Sequence, residues 1–353
     1  MNVEKAKKLI GYTFEKGWKV LKVHERLGTS TGGVYSMCFD VERDGIRRFM
    51  KALDIDAHIR KSKGEQGVPN PIEALQNMIN QHQYERTLSN ICREGHVTKV
   101  AYVQEDGSEY VEVFNNTLVP YLIFEMADMD VHSKLELTDR LDFAWKMKSL
   151  HDVAVGMQQL HGVGITHQDI KPSNILLYDQ QTKLGDLGCS LCDYVPSPFE
   201  NDIFPGDHNY APPERLYNLP ITNVDEQKKM TDAYLLGGLT VFYLTGMSFN
   251  GLMFQYLPNS YKPECFKGDF NDVKYYLMDA FQKVLELIEN SIPIKEVRER
   301  LLNDLRYLCS PIKEERGHPR NRNNIATKYS LERFISDFAY IQHLAESKLF
   351  KVY

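Results

Sequence analysis

Cysteine, net positive charge and long apolar runs are all scarce in this sequence. Six cysteines in 353 residues are too few for a disulfide framework, which indicates reduced thiols and a cytoplasmic protein. The net charge of −6 argues against sequence-independent binding to nucleic acid, which needs a basic face. The N-terminal segment lacks a signal-peptide pattern, and the most apolar run, 233–245, is too short to span a bilayer. We therefore expect a buried core helix there, and neither a membrane nor a nucleic acid as partner.

The rest of the composition is that of a globular protein. Hydrophobic residues make up 42% and charged residues 25%, which argues against a disordered or fibrous class. Runs rich in β-branched and aromatic residues predict strands at 18–28, 33–45, 47–55, 96–104 and 119–127. Apolar periodicity predicts helices at 71–93, 141–161, 229–246, 271–290, 294–309 and 330–348. Strands in the first third and helices afterwards predict an α+β architecture with a small sheet-rich lobe and a larger helical lobe.

Two local signals refine these predicted elements. Asp44 and Gly45, between the second and third predicted strands, are typical of a tight hairpin turn. Asn70 precedes Pro71 at the start of the first long helix, and we expect Asn70 to cap it. Residues 55–72 are polar and contain several Gly and Pro residues, so we interpret them as a loop or insertion.

The segment 165–190, ITHQDIKPSNILLYDQQTKLGDLGCS, carries the clearest chemistry. Phosphoryl transfer from ATP needs metal ligands and a group that positions the attacking hydroxyl. Asp186 and Asn174 supply the oxygen ligands that Mg²⁺ prefers. Asp169 can accept the proton of a substrate hydroxyl or orient it. Pro172 and the apolar run that follows predict a tight turn leading into a buried strand, which would hold these polar groups on a rigid mount.

This segment resembles the catalytic loop and metal-binding motif of eukaryotic-type protein kinases, H-R-D-x-K-x-x-N followed by D-F-G. The matching residues in this chain are His167, Asp169, Lys171, Asn174 and Asp186-Leu187-Gly188. The resemblance implies a bilobal protein-kinase-like fold. Its parts would be an N-terminal extension at 1–17, an N-lobe at 18–126, a C-lobe at 127–345 and a tail at 346–353.

The resemblance also implies an activity and its partners. The expected reaction moves the γ-phosphate of ATP, bound with Mg²⁺, to a hydroxyl of a protein substrate or of the chain itself. Asp169 and Lys171 would be catalytic, while Asn174 and Asp186 would bind Mg²⁺. Lys171 favours Ser/Thr over Tyr specificity, since in the family it contacts the transferred phosphate. The oligomeric state stays open.

Further ATP-binding residues are implied in the first third of the chain. Gly28, Ser30 and Gly33 fall on the three glycine positions of G-x-G-x-x-G, with Ser30 in place of the second glycine. The run that ends Phe49-Met50-Lys51 stands in the place of V-A-I-K, so Lys51 is expected to pair with the α- and β-phosphates. A helix glutamate should hold Lys51. Glu85 fits best, and Glu73 on the same predicted helix is its rival.

The hinge and three structural features complete the resemblance. Phe124 would stand at the back of the adenine pocket, and backbone groups of Glu125, Met126 and Ala127 would bond the adenine edge. The run Ala211-Pro212-Pro213-Glu214 resembles the end of an activation segment, and Asp232 to Gly237 resembles the start of the central helix. Glu214 is expected to pair with Arg316 in the interior.

Further departures from the family pattern lie around the catalytic loop and after it. Gln168 replaces the arginine that often pairs with an activation-loop phosphate, so activity is not expected to depend on such a phosphate. Asp207 stands where Ser/Thr kinases usually carry threonine; it can satisfy Lys171 but could repel Asp169. Cys189 and Cys192 form a C-x-x-C that we interpret as coincidence rather than as a redox or zinc site.

Two alternative functions stay open at this point. The incomplete glycine pattern, Gln168 and Asp207 are compatible with a weakly active pseudokinase that acts as a nucleotide-binding scaffold. A small-molecule phosphotransferase of kinase-like fold would share the Asp and Asn elements. Such enzymes generally lack Lys171 and the Pro-Pro-Glu run, which favours the protein kinase.

Overall fold

The computed structural model describes residues 3–24, 36–55, 71–114, 116–137, 142–200, 202–220, 223–321, 324 and 327–348. The chain divides into two units. The first comprises Met1–His96, Val100–Met129 and Gly185–Gly188, and the second comprises Val97–Lys99, Asp130–Leu184 and Cys189–Tyr353. The first is rich in strands and the second in helices, which confirms the predicted α+β class.

A five-stranded antiparallel sheet with the order β1-β2-β3-β5-β4 forms the centre of the first unit. The strands are β1 (Lys19–Val23), β2 (Ser36–Arg43), β3 (Ile46–Leu53), β4 (Glu105–Val111) and β5 (Thr117–Glu125). The helices are α1 (Val3–Lys7) and α2 (Pro71–Glu94). Asp44 and Gly45 have φ values of 53° and 76°, the left-handed conformations that a two-residue hairpin turn requires, so the predicted turn between β2 and β3 is confirmed.

Alternation along β3 gives its sheet two different faces. Met50 and Ala52 are fully buried and pack with Tyr121 and Ile123 of β5 in the main core of the first unit. Since successive side chains of a strand point to opposite sides, Phe49 and Lys51 lie on the other face. Lys51 is therefore presented away from the main core, on what we call the Lys51 face.

Residues 3–17, part of the segment that the sequence separates as an extension, contribute to this same core. Leu9 and Phe14 are buried there, and the Phe14 ring meets the Tyr121 ring edge-on with centroids 4.8 Å apart. The backbone N–H of Gly11 donates to the carbonyl of Val20 at 2.9 Å, which ties the segment to β1. The segment is thus part of the packed first unit.

The strand predicted at 96–104 is wrong, because the strand in this region begins only at Glu105. The predicting signal was the row of valines, and Val97, Val100 and Val103 are indeed buried. Several backbone groups of this segment bond side chains instead, and the N–H of Val103 donates to Oγ of Ser89 at 3.0 Å. The N–H groups of Thr98 and Lys99 donate to Oε1 of Gln159 at 3.0 and 3.1 Å. A buried apolar connection therefore imitates a strand pattern.

Helices dominate the second unit. They are α3 (Val131–Leu137), α4 (Phe143–Gly162), α5 (Pro213–Leu216), α6 (Val224–Thr245), α7 (Phe249–Tyr256), α8 (Phe270–Ser291), α9 (Lys295–Cys309) and α10 (Glu332–Lys348). Its short strands are β7 (Ile165–Thr166), β8 (Ile175–Tyr178), β9 (Gln181–Leu184) and β10 (Leu191–Cys192), and β6 (Met129–Asp130) lies where the two units meet in sequence. The long helices predicted by periodicity are confirmed to within a few residues.

The apolar run 233–245 lies in α6 and is almost wholly buried, which confirms the predicted core helix. A Cβ atom on Gly237 would collide with Cys309 of α9, so glycine permits the close approach of these two helices. Within the described ranges, no single helix is long and apolar enough to cross a membrane, although the bent pair of α6 and α7 passes together by length and composition alone.

An unusual carboxylate, Asp304, lies inside α9. It is 3% exposed, and its Oδ2 atom has no hydrogen-bond partner among the described residues. Burial, with repulsion from Asp337, raises the pKa of Asp304 well above its usual value, and nearby Arg300 offsets only part of this effect. A carboxyl group with a raised folded-state pKa costs stability as the pH rises from its unfolded pKa to its folded pKa.

We expect Asp304→Asn to stabilise the protein, and more so as the pH rises from 4 to 8. Each unit by which the pKa is raised is worth about 1.4 kcal/mol of unfolding free energy once Asp304 is forced to ionise. The measurement is urea unfolding across this pH range. The control is Asp279→Asn, whose carboxylate is exposed on α8. Equal pH slopes for Asp304→Asn and the wild type would contradict the expectation.

Candidate functional site

Lys51 forms a charged cluster in the first unit with Glu85 and Asp186. The Nζ atom of Lys51, on β3, donates to Oε2 of Glu85 on α2 at 2.9 Å and to Oδ1 of Asp186 at 3.1 Å. Glu85 is 4% exposed, whereas Glu73, in the first turn of α2, is exposed to solvent. The predicted ion pair between Lys51 and Glu85 is therefore confirmed, and the rival glutamate does not take part in it.

The charge of Lys51 is stabilised by this cluster. Burial alone would lower the pKa of the Lys51 ammonium, but the carboxylates of Asp186 and Glu85 outweigh it and raise that pKa above its usual value. His82 lies one turn before Glu85 on α2. Burial and the nearby Lys51 charge lower the pKa of His82 to about 4, so its imidazole is neutral at pH 7. Lys51 thus remains the cation of the cluster at any physiological pH.

The backbone at Asp186 is strained. Its φ value of 60° lies in the left-handed region that non-glycine residues seldom adopt. The N–H of Gly188 donates to Oδ1 of Asp186 at 3.4 Å, which helps to hold the carboxylate in place. Such conformations persist only where the surrounding structure enforces them, and they concentrate at functional sites.

A second charged cluster, in the second unit, surrounds Asp169. Its Oδ2 atom accepts a hydrogen bond from Nδ2 of Asn174 at 2.8 Å, and Oδ1 accepts from the backbone N–H of Asp207 at 2.9 Å. The ammonium of Lys171 lies 3.1 Å from Oδ2 of Asp169 and 3.4 Å from Oδ2 of Asp207. Lys171 thus neutralises both carboxylates. Asp207 satisfies the lysine, as the sequence suggested, and its backbone also orients Asp169.

The sequence between these residues explains their placement. Pro172 opens a single 3₁₀ turn, Pro172–Asn174, and β8 begins immediately afterwards at Ile175. The predicted tight turn into a strand is confirmed. The turn brings the side-chain amide of Asn174 back to Asp169. Nδ2 of Asn174 also donates to the backbone carbonyl of Asp169 at 2.9 Å.

Asp232 of α6, whose carboxylate is fully buried, holds the loop that contains His167 and Gln168 in place. Its oxygens accept the backbone N–H groups of His167 at 2.9 Å and Gln168 at 2.8 Å. The amide of Gln168 donates to Oδ1 of Asp232 at 3.0 Å and to the carbonyl of Lys228 at 2.9 Å. Nε2 of His161 lies 2.8 Å from Oδ2 of Asp232. The sequence assigned Asp232 to the start of the central helix, which is wrong because α6 begins at Val224. Nothing local in the sequence reveals the loop partners of Asp232.

Gln168 itself adopts a left-handed backbone conformation, with φ at 64°. Its side chain is engaged with α6, and it is 1% exposed. The residue that departs from the H-R-D motif is thus used internally to fix the loop.

The pair of Glu214 and Arg316 is confirmed. Nη1 and Nη2 of Arg316 donate to the two carboxylate oxygens of Glu214 at 2.7 and 2.8 Å, and the two side chains are almost completely buried. Burial alone would raise the pKa of Glu214, but Arg316 outweighs burial and lowers it. This bidentate contact holds α5 in the interior of the second unit.

The remaining predicted site residues lie outside the described residues or at the end of β5. Gly28, Ser30 and Gly33, like Asn70, lie outside the described residues. Glu125 ends β5 in the first unit, and Ala127 follows it in the connection to β6.

The C-x-x-C pair shows no sign of a metal site. All six cysteines lie within the described residues, and none of them forms a disulfide. Among those residues, no group of three or more His, Cys, Asp or Glu side chains is arranged to hold a metal ion. The interpretation of Cys189 and Cys192 as coincidence therefore stays a prediction.

The side-chain oxygens of Asn174 and Asp186 are ligands of the kind that Mg²⁺ prefers. Because the nitrogen of the Asn174 amide donates to Asp169, its carbonyl oxygen is the atom directed to other partners. Asp186 supplies a carboxylate. Mg²⁺ binds through one or two protein oxygens together with phosphates and water, so a cage of protein ligands is not required.

Known kinases are similar to part of this chain. A family model described as the protein kinase domain matches residues 66–252, more than half of the chain. The Aurora kinase of Schizosaccharomyces pombe is 32% identical over 128 residues, which are 36% of this chain and 34% of that protein. The Aurora kinase of Debaryomyces hansenii is 31% identical over 128 residues, 36% of this chain and 30% of that protein.

The Wee1-like protein kinase of Arabidopsis thaliana is 31% identical over 144 residues, 37% of this chain and 27% of that protein. The chain thus spans roughly a third or less of the length of these curated relatives.

Proposed function

The chain belongs to the protein kinase domain family, and from this premise we propose that it transfers the γ-phosphate of ATP to Ser or Thr hydroxyls of a protein substrate. The observation that carries the proposal is the Lys51 cluster. A lysine held between a helix glutamate and the aspartate of the D-L-G triplet is the arrangement that phosphoryl transfer in this family requires.

Each residue of the Lys51 cluster has a role in this proposal. Lys51 donates hydrogen bonds to the α- and β-phosphates, and Glu85 holds its ammonium in position. Asp186 and Asn174 are the proposed Mg²⁺ ligands. Mg²⁺, when bound, neutralises the charge that develops on the phosphates. Glu125 and Ala127 would bind the adenine edge through their backbone groups.

Asp169 acts on the acceptor. Its carboxylate, oriented by Asn174 and by the N–H of Asp207, accepts a hydrogen bond from the substrate hydroxyl and then takes its proton. Lys171 lies beside this carboxylate, where its positive charge can stabilise the phosphoryl group in transit.

Regulation by an activation-loop phosphate is not part of the proposal. An arginine at position 168 would be the usual partner of such a phosphate, and Gln168 is neutral and bonded to α6. We propose that the loop is held by Asp232 and Gln168 without phosphorylation, so phosphatase treatment should leave the activity unchanged.

The test is incubation of the purified protein with Mg-ATP labelled at the γ-phosphate, with and without a generic protein substrate. The wild type should transfer label to the substrate or to itself, and Asp186→Ala should not. If the wild type transfers no label and ATP causes no shift of its unfolding temperature, the proposed kinase activity is refuted. Label only on aminoglycosides or sugars would favour a small-molecule phosphotransferase.

A further inference from the structure

Arg215 of α5 is a buried arginine with no role in the proposed phosphoryl transfer. It is 9% exposed, and arginines are seldom buried to this extent unless an ion pair balances their charge. A guanidinium group stays protonated at any physiological pH. Arg215 therefore carries a positive charge into the second unit.

This charge has no partner in the part of the chain that the structure describes. The Nε atom of Arg215 is buried and forms no hydrogen bond there. None of the hydrogen bonds or ion pairs of the described residues involves its two Nη atoms. Burial lowers the pKa of Arg215, and the adjacent Glu214 offsets only part of this effect.

The adjacent carboxylate of Glu214 is bonded to another cation. Its two oxygens accept hydrogen bonds from Nη1 and Nη2 of Arg316 at 2.7 and 2.8 Å, and Oε1 also accepts one from Gln227 at 2.9 Å. All of these side chains are buried. Two buried guanidinium groups therefore share one buried carboxylate, and the hydrogen bonds of that carboxylate go to Arg316.

The backbone on both sides of Arg215 is fixed. The carbonyl of Ala211 accepts a hydrogen bond from Nδ2 of Asn250 at 2.9 Å. The hydroxyl of Tyr217 donates to the carbonyl of Tyr261 at 2.7 Å. Because these contacts hold both ends of α5, the helix cannot turn Arg215 into solvent without breaking them.

A bound anion would remove the cost of this arrangement. A buried charge without a counterion destabilises the folded state, and a ligand that binds only the folded state stabilises it. The planar guanidinium group can donate two parallel hydrogen bonds to the oxygens of a phosphate group. The two Nη atoms of Arg215 are the donors left for such a contact.

We propose that Arg215 binds a phosphate group from outside the chain, which supplies the counter-charge that the described residues do not. The phosphate is either a free anion or the phosphorylated side chain of another protein segment. This site includes none of the residues proposed to bind ATP or Mg²⁺. It goes beyond the proposed function and needs no nucleotide.

The experiment measures the unfolding temperature of the full chain in increasing inorganic phosphate, with chloride of matched ionic strength as the reference. The wild-type value should rise and yield a dissociation constant. Arg215→Met should raise this constant by at least about tenfold, the factor that corresponds to one charge-assisted hydrogen bond. Arg215→Lys keeps the charge but loses the paired donors, so it should raise the constant by a smaller factor.

Arg306→Met is the matched control, because it removes an exposed arginine from α9 of the same unit. Its response to phosphate should equal that of the wild type. A wild type that does not respond to phosphate overturns the site, and so does an equal response of the wild type and both Arg215 variants.

The stability in chloride separates binding from a purely structural role. Arg215→Met should unfold at the same temperature as the wild type or at a higher one, because it removes an unpaired buried charge and keeps a side chain of similar length. A clearly lower unfolding temperature would show that the guanidinium group itself holds the fold together, and it overturns the site.

Two peptides distinguish the sources of the phosphate. A peptide with one phosphoserine should compete for the site, and its unphosphorylated counterpart should not. Competition at least tenfold tighter than that of inorganic phosphate assigns the site to a phosphorylated protein segment, and equal affinities assign it to the free anion. Equal effects of both peptides in the wild type and in Arg215→Met overturn the role of Arg215.

Discussion

Asp169→Asn should lower the rate of phosphoryl transfer by about 10²- to 10⁴-fold, the usual contribution of a positioned general base. Asparagine preserves the shape of the side chain but replaces one acceptor oxygen by a donating NH₂ group. That group cannot take the hydroxyl proton, and it would face either the amide of Asn174 or the N–H of Asp207. The measurement is single-turnover transfer of labelled phosphate to a protein substrate.

Two readouts separate loss of chemistry from loss of structure. The unfolding temperature and the thermal shift caused by ATP should stay close to the wild-type values, because Asp169 is not among the proposed nucleotide ligands. Asp193→Asn, which alters an exposed carboxylate of the same unit, should leave the rate unchanged. A loss smaller than tenfold in Asp169→Asn would show that another group receives the proton.

Arg316→Met should destabilise the second unit by about 3–5 kcal/mol, the range found when one partner of a buried ion pair is removed. Arg316 is completely buried and Glu214 is 2% exposed, so water cannot replace the lost cation. Gln227 would still donate to Oε1 of Glu214 at 2.9 Å, but a neutral amide does not balance a buried charge. Urea unfolding at pH 7 measures the loss.

The unfolding free energy that Arg316→Met loses should depend on pH, and the loss should be smaller at acidic pH than at pH 7. Arg316 lowers the pKa of Glu214 below its ordinary value of 4.5, so the pair contributes its stability above that value and loses it as the pH falls through the folded-state pKa. In the variant, burial is opposed mainly by hydrogen bonds such as the one from Gln227, so the pKa of Glu214 is higher than in the wild type. Protonated Glu214 needs no cation, so the difference from the wild type should shrink on acidification.

Two further variants are compared with Arg316→Met. Arg298 makes a looser contact with Glu289, at 4.0 Å and with side chains 29% and 50% exposed, so Arg298→Met should cost no more than about 1 kcal/mol. Adding Glu214→Leu to Arg316→Met should recover part of the loss, because neither charge of the pair is then left buried. Equal costs for Arg316→Met and Arg298→Met would contradict the buried-pair argument.

Local sequence was sufficient wherever function restricts a short segment. The residues His167 to Asn174 lie within one loop, so their types and order predicted the turn and its strand. Lys51 and Glu85 were found because the loop resemblance implied partners at known places in the chain. The long helices followed from apolar periodicity, which burial on one face imposes directly.

Sequence patterns failed where a contact joins distant segments or where burial is irregular. Val97, Val100 and Val103 are β-branched residues of the kind enriched in strands, yet the backbone of Thr98 and Lys99 bonds a glutamine of α4. The burial of Leu9 and Phe14 was missed because a short charged segment resembles a surface tail. Asp304 carries no local signal of its burial.

The sequence by itself determined the chemistry that we propose for this chain, because the residue types expected to bind phosphate, metal and a hydroxyl stand in the order of the kinase motifs. Only the tertiary structure decided which of two glutamates holds Lys51, that Asp232 and Gln168 secure the catalytic loop, and that Arg215 is buried beside the pair of Glu214 and Arg316. The identity of a single residue sets the chemistry of its side chain, whereas the burial and the contacts of that side chain depend on packing between segments far apart in the chain.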